Sequence, residues 1–457
     1  MNKYLILIIL CFLPLYTGVS TGIKVALNDR LLQAMIKHFS PEINKMMTNI
    51  DIGDFHIWAN IYGDDVKLHF PNNFMNYFKV HLSNNVIHVT CNGLSATANG
   101  DVRFSFWLFS LYKSLSIHVS NFSMDTKLRI VNVPLKDGGY RPSLEFSGDP
   151  DVNASIRVSS GGLVGAAISA LANLLLPLFK RKIINMGVDE GKGQLKKIIN
   201  NFEMKACIDK ANNLWIDYSL INQVRWANNF IELNTYGLVY NERRLDTQKG
   251  KNGISFTDLP YLTSMTDQLQ LYVSEYSINS AAKTFLNTFY KALQFKLDAD
   301  VLNIFLPGFK NNFKDSYGDI ILQSQRLPTI QITNQGLVVK YPHVLTVRVP
   351  SRLKPAYHTE IELTLGIDLR VEYGPTVYAN INDLSAKLGT VYIKDATNSQ
   401  NSVIEGGFEF IKSTVIQLFN GMAKNMKYKF PSVMGLSFKD LKFEFKDKYI
   451  VINYNLS

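Results

Sequence analysis

Few residues in this 457-residue chain have the types and spacing needed for covalent chemistry. Gly18-Val-Ser-Thr-Gly22 matches the elbow that presents a hydrolase serine at a strand-to-helix turn. It falls at a predicted cleavage site, and the match is read as coincidence. Gly187-Val-Asp-Glu-Gly-Lys-Gly193 approaches a phosphate loop, but it is one residue short and lacks the Ser or Thr that would hold magnesium. The eight histidines form neither an HExxH motif nor a Cys/His zinc spacing. His81 and His88 come nearest, and their odd separation would put them on opposite faces of one strand. No catalytic residue, metal site or cofactor is therefore expected, and no basic-aromatic patch suited to nucleic acid.

The expected chemistry is that of apolar surfaces. Lys3, the apolar run Tyr4 to Leu15 and small residues at Gly18-Val-Ser20 read as a secretory signal over residues 1–20, so the protein is expected outside the cell. Cys11 would leave with that signal. Cys91 and Cys207 would remain, and the sequence leaves open whether they form one disulfide or two buried thiols. Secretion would make Asn121-Phe-Ser and Asn153-Ala-Ser usable glycosylation sites. Hydrophobic residues at 46% and charged residues at 19% describe a folded chain, long enough for two or three domains. The net charge of +10 is spread over both halves, which fits a mildly basic surface better than a polycationic one.

The elements that would position these surfaces occur twice in the same order. An amphipathic helix at about 28–47, capped by Asn28 or Asp29, carries Leu32, Met35 and Ile36 on its apolar stripe. A strand-rich stretch follows, with Asn-Gly at 92–93 and 99–100 and Asp137-Gly-Gly139 as turn signals. Residues 161–179 are uncharged and include Leu163, Ala167, Ile168, Leu171 and Leu175, with Lys180-Arg-Lys182 behind them. By length this run could span a membrane. Asn173 and Pro177 interrupt it, and a span would separate two related halves, so a buried helix lining an apolar cavity is expected. After a polar linker around Asp246–Gly253, a helix at about 277–295 places Ile278, Ala282, Phe285, Phe289 and Leu293 on one face. More strands follow, then a helix at about 404–426 bearing Ile411, Val415 and Phe419.

This order resembles the family of bactericidal/permeability-increasing protein, lipopolysaccharide-binding protein and the phospholipid and cholesteryl ester transfer proteins. The resemblance also rests on Asn234-Thr-Tyr-Gly-Leu-Val-Tyr240, Leu271-Tyr-Val-Ser-Glu-Tyr-Ser-Ile-Asn-Ser280 and Phe430-Pro431. It implies an α+β fold of two pseudosymmetric, strongly twisted antiparallel β-barrels joined by a central sheet in a boomerang. In each barrel two helices close an apolar pocket. The implied units are a lipid-binding barrel at 21–215, central strands and linker at 216–265, and a second barrel at 266–457 whose last strand returns to the central sheet. One pocket would use Leu32, Met35, Ile36, Leu163, Ala167, Ile168, Leu171 and Leu175; the other Phe285, Phe289, Ile411, Val415 and Phe419.

Two departures from the family stand out. Asp149 and Lys196 stand near the positions of its usual first-barrel disulfide. Its endotoxin-binding members carry a lysine-rich tip, whereas the matching stretch here, residues 100–113, has only Arg103 and Lys113 as cations. Phe104, Phe106, Trp107 and Phe109 make that stretch a candidate membrane-contact tip instead. The expected role is a non-enzymatic, monomeric binder of phospholipid-like acyl chains. Its partners would be lipids, lipopolysaccharide, or particle and membrane surfaces, in defence or lipid transfer. A secreted structural or adhesion protein and a lipid hydrolase with a cryptic triad are the alternatives.

Overall fold

The computed structural model describes residues 21–457 apart from 35–36, 38–40, 42–48, 59–60, 72, 84, 107–108, 149–150, 160–203, 228, 290–291, 373–375, 395–404, 407, 410–411, 414–415, 418–419, 422–427, 430–437 and 457. The first half runs β1 (Ile23–Asn28), helix α1 from residue 29, β2 (Asn49–Trp58), β3 (Ile61–His69), β4 (Phe78–Ser83), β5 (Val86–Phe106), β6 (Phe109–Pro134), β7 (Tyr140–Phe146) and β8 (Asp151–Ser159). The middle holds β9 (Lys205–Asp209), β10 (Leu214–Asp217), β11 (Arg225–Trp226), β12 (Phe230–Thr235) and β13 (Leu238–Asn241). The second half runs β14 (Leu269–Ser274), α2 (Glu275–Phe289), β15 (Leu293–Asp298), α3 (Ala299–Phe305), α4 (Phe309–Asn312), β16 (Tyr317–Ser324), β17 (Thr329–Thr333), β18 (Gly336–Arg348), β19 (Tyr357–Glu372) and β20 (Thr376–Lys394). Helix α5, seen at positions between 405 and 421, precedes β21 (Tyr428–Lys429), β22 (Phe438–Lys446) and β23 (Tyr449–Leu456).

Two curled antiparallel sheets carry the same plan. In the first, β2-β3-β5-β6 follow one another, and β4 pairs with the other end of β5. In the second, β15-β16-β18-β19-β20 do the same, with β17 on the other end of β18. Between them lies a six-stranded sheet in the order β11-β12-β1-β14-β23-β22, so that each half supplies three strands about the β1/β14 seam. That seam is antiparallel, with Val25 opposite Leu271. It needs glycine at position 22, where a Cβ would stand 1.8 Å from the Tyr236 carbonyl oxygen.

Local chemistry explains several boundaries. Asn28 caps α1, its Oδ1 accepting from the Leu31 N–H at 3.1 Å. Gly138 and Gly139, at φ of 85° and 79°, close the β6–β7 turn. Asn92-Gly93 does not turn the chain. Gly93 at φ 74° forms a bulge where the β5–β6 register shifts between Cys91 and Leu94. Asn99 and Gly100 are regular ladder positions opposite Ser116 and Leu115. What the sequence suggests as several strands is thus two long ones. Leu293 belongs to β15, not to α2, because Leu293-Gln-Phe-Lys-Leu-Asp298 alternates with a period of two.

The central sheet has two unlike faces. Val25, Leu27, Ile231, Leu233, Leu269, Ile450 and Ile452 form one apolar core. On the other face Lys24 and Glu232 are fully buried beneath the segment that leads into β14. Lys24 donates to the Pro260 carbonyl, with the Tyr261 and Tyr272 rings 5.9 and 5.6 Å away. Glu232 receives Arg225 at 2.8 Å and the Leu262 N–H at 2.7 Å. The polar linker is likewise ordered. Lys249 lies 3.3 Å from the Tyr236 ring centre and donates to Asp217, Ser219 and the Gly138 carbonyl, while Asn252 is buried.

Burial lowers the Lys24 ammonium to about 8, against the opposing pull of Glu232 and with a further push from Arg225. Below that pH, folded and unfolded chains are both protonated and the cost of burial is felt in full. Between about pH 8 and 10.5 the unfolded chain holds more protons, so stability should rise with pH across that window. The gain is at most about 3 kcal/mol. Urea midpoints measured across this range should rise for the native sequence relative to Lys24→Met, the difference between the two widening with pH.

Candidate functional site

The interior of each curled sheet is bounded by helices, and α2 shows how one is attached. Ser277, Ser280, Thr284 and Thr288 form a hydroxyl stripe towards β13. Ser277 Oγ donates to the Gly237 carbonyl at 2.8 Å, and Thr284 Oγ1 to that of Val239 at 2.9 Å. The Val239 N–H donates to Ser280 Oγ at 3.1 Å. A second side faces β17. Asn279 exchanges two bonds with Ile330, giving Nδ2–H to its carbonyl at 2.8 Å and accepting its N–H at 2.9 Å, and Glu275 accepts the Ile332 N–H at 2.7 Å. Both polar sides are thus spent on strand backbone, leaving Ile278, Ala282 and Phe285 on a third, apolar side.

The device recurs. In α1, Gln33 accepts the Val80 N–H at 2.9 Å and donates to the Phe78 carbonyl at 3.4 Å, both on β4, the counterpart of β17. In α5, Asn420 makes the two-point bond with Ile381 at 2.7 and 2.8 Å, and Glu405 accepts the Leu388 N–H at 2.9 Å. Between these, Lys412 meets Asp383 at 2.7 Å and holds its carboxyl below the usual range. From Glu405 to Asn420 a helix advances about 22 Å, and from Leu388 to Ile381 a strand covers about 23 Å. Helix α5 therefore runs antiparallel to β20 and in step with it.

Beneath these helices the second sheet presents an apolar row. On β19, Ile361, Leu363, Leu365, Ile367 and Leu369 share one face, with Glu360, Glu362, Asp368 and Arg370 on the other. The register sets Leu363 between Tyr341 and Ala386, and Leu365 between Val339 and Leu384. Ile361 is packed into the core beside α3 and α4, and Leu369 against the core of the central sheet. Between those ends Val339, Leu365 and Ile367 continue the row and are only half-buried. In the first sheet the matching face carries Leu94, Ala96 and Ala98 beside Ile117 and Val119, all buried.

Compared with solved structures, the chain aligns with the crystal structure of lipopolysaccharide binding protein over 96% of its own length and 99% of the other chain, at 15% identity and a TM-score of 0.51. The fold is that of lipopolysaccharide binding protein. Takeout 1 from Epiphyas postvittana matches 37% of this chain and 92% of its own, at 11% identity and a TM-score of 0.28. P47 from Clostridium botulinum A2 matches 100% and 98%, at 10% identity and a TM-score of 0.33. No family description and no curated protein matches the chain by sequence.

Placed on the lipopolysaccharide binding protein fold, the expected pocket residues fall out as follows. Leu32 is buried in the central core with Val80, Leu82 and Ile87. Phe285 is 41% exposed on the apolar side of α2, and Phe289 ends that helix. Met35, Ile36, Leu163, Ala167, Ile168, Leu171, Leu175, Ile411, Val415 and Phe419 lie outside the described residues, as do Asp149 and Lys196. Phe104, Phe106 and Phe109 belong to the β5–β6 hairpin, whose last pair is Phe106 with Phe109; Trp107 is outside the described residues. Asn121 and Asn153 are both exposed. Among the described residues no helix is long and apolar enough to cross a membrane.

Several expectations are refined. Of the two states left open for the cysteines, both are free thiols: Cys91 is buried in β5 of the first curled sheet, whereas Cys207 is exposed on β9 of the separate β13-β10-β9 sheet. Burial pushes the Cys91 thiol up to about 11. His81 and His88 do not face apart. They are a cross-strand pair of β4 and β5, with ring centres 5.2 Å apart, because a turn separates them. The linker at 246–253 is a strap bonded through Thr247, Lys249 and Asn252, with Asp246, Gly250, Lys251 and Gly253 exposed. Sequence reasoning also missed the hydroxyl stripe and the helix carboxamides, although the spacing of Ser277, Ser280, Thr284 and Thr288 by three and four was a readable signal. Ser219 Oγ is 3.1 Å from Lys249 Nζ and resembles a nucleophile–base pair. The serine is 1% exposed and the ammonium also bonds Asp217, which makes the pair a fastener of the strap.

Two outcomes follow. Asn279→Ala removes both bonds to Ile330 and should lower the unfolding free energy by about 1–3 kcal/mol in urea titration. A maleimide should label Cys207 in the native protein and reach Cys91 only after denaturation, with no disulfide found by mass spectrometry under non-reducing conditions.

Proposed function

We propose that the protein is a binder of acyl lipids, holding hydrocarbon chains against the apolar inner face of each curled sheet, under the helices clamped to the strand edges. The half-buried row Val339, Leu365 and Ile367 carries this reading, since it is a stretch of lining that neither flanking core covers. The shared fold with a lipopolysaccharide binding protein supports it. Hydrocarbon burial would drive binding, at roughly 0.8 kcal/mol per methylene before ordering costs. Export from the cell and a role in lipid transfer or defence fit the sequence. A phosphate-dense glycolipid is the less favoured ligand: of the two cations at the β5–β6 tip, Arg103 already lies over the Tyr62 and Tyr112 rings, at 5.7 and 5.2 Å.

Protein purified from a lipid-containing host should release phospholipid on organic extraction. In a fatty-acid series, each added methylene should tighten binding by up to about fourfold. Leu365→Asp should reduce uptake of a fluorescent phospholipid while leaving the far-ultraviolet circular dichroism spectrum intact. Protein that is empty as isolated and indifferent to chain length would overturn the proposal.

A further inference from the structure

The end of the second curled sheet farthest from the central sheet carries a surface that acyl-chain binding in the interior does not use. There α3, α4 and the 349–356 connection close over one core, made of Leu302, Leu306, Phe309, Phe313, Val349 and Ala356. Outside that core the connection presents Arg352-Leu-Lys354, with Leu353 fully exposed at 106%. It is the most exposed large apolar side chain among the described residues. On α3, Val301 and Ile304 are 36% and 44% exposed, one helical turn apart.

The leucine is held out by a rigid frame. The Arg352 N–H closes a turn onto the Val349 carbonyl at 3.1 Å, and the Ala356 N–H bonds the Val347 carbonyl at 2.8 Å. Asp315 accepts the Ser351 N–H at 3.1 Å and its hydroxyl as well. Pro350 and Pro355 bracket the segment and restrict it further. Arg352 lies 4.8 Å from the Phe313 ring centre, which fixes the near side of the loop to α4. An apolar side chain held in water by so many constraints makes sense if it meets an apolar phase.

Charge indicates which phase. Lys310, Lys314, Arg348, Arg352 and Lys354 are all exposed at this end. Of the carboxylates beside them, Asp300 pairs with Lys310, and Asp315 holds Ser351. Exposed apolar side chains on the same end as exposed cations, with Leu353 directly between Arg352 and Lys354, match a bilayer interface bearing anionic headgroups. We propose that this end of the protein docks on anionic phospholipid membranes, with Leu353 entering the acyl boundary and Lys354 and its neighbours contacting the headgroups. This surface is distinct from the interior site, so either reading can fail without the other.

The test is co-flotation of the full chain with phosphatidylcholine vesicles made with and without phosphatidylserine, at low and high salt. The native protein should float with the anionic vesicles and lose affinity as salt rises. Leu353→Asp should weaken this at least tenfold. Lys354→Glu, which removes one cation and adds an anion, should weaken it by more than about fivefold. Because Leu353 is wholly exposed, its replacement should leave folding and interior lipid content unchanged, as read by circular dichroism and native mass spectrometry. Ile208→Asp, at an exposed apolar residue on β9 of the separate β13-β10-β9 sheet, should leave flotation as it was. No flotation by the native protein, or equal flotation by Leu353→Asp, would overturn the proposal. So would a native dimer that Leu353→Asp dissociates without any change in flotation, which would make the patch a contact between copies.

Discussion

A curled antiparallel sheet leaves unpaired backbone along a strand edge and an apolar face with no second sheet against it, and this protein meets both needs with the same helices. The edge is the stricter demand, because each buried N–H or C=O without a partner costs about as much as a lost hydrogen bond. Gln33, Asn279 and Asn420 answer it alike, each carboxamide giving one donor and one acceptor to a strand at β4, β17 or β20. A carboxamide suits this task because it carries both functions at the spacing of a peptide group. These bonds add to the apolar packing of Leu31, Leu32 and Ile278 on the central core in fixing the helices.

The central sheet sets the boundary conditions for both halves. With β1 and β14 side by side, the helices that follow them leave the seam related by the same pseudo-twofold arrangement as the strands. Buried Lys24 and Glu232, with half-buried Arg225, cost desolvation and are retained beneath the segment that leads into β14. Such groups are weak contributors to stability but demand one geometry. Here that geometry fixes the path of residues 258–265 over the sheet, through Pro260 and Leu262.

What could be read from the sequence followed from local rules. The Asn28 cap, the Gly138-Gly139 turn and the apolar side of α2 each depend on a few adjacent residues, and each appears as expected. The errors arose where a distant partner decides. Asn92-Gly93 has hairpin chemistry, but β6 runs alongside as a continuous template and converts it to a bulge. The period of the α2 pattern carries through Leu293, yet pairing with Leu322 on β16 claims that residue for a strand. His81 and His88 meet only because β4 folds back on β5. The carboxamide clamps were invisible for a related reason: a lone Gln or Asn on a helix gives no sign of which strand edge will lie beside it.

The use of polar bonds at helix seams has a consequence for any apolar guest. A helix packed on a sheet through leucines would fill the concave face with its own side chains, and a ligand would have to displace them. With α2 fastened through Ser277, Ser280, Thr284 and Asn279, and with Ile278 on the central core, attachment does not depend on Ala282 and the exposed Phe285. Among the described residues, the row from Val339 to Ile367 likewise has its ends in separate cores and its middle in neither. Filling that middle with hydrocarbon would add apolar burial without breaking a backbone bond. Since only the folded state offers such a surface, occupancy and stability must rise together by mass action. The attachment chemistry and the proposed binding of a guest are thus compatible: polar seams carry part of the hold on the helices, so that part of each apolar face is not needed for it.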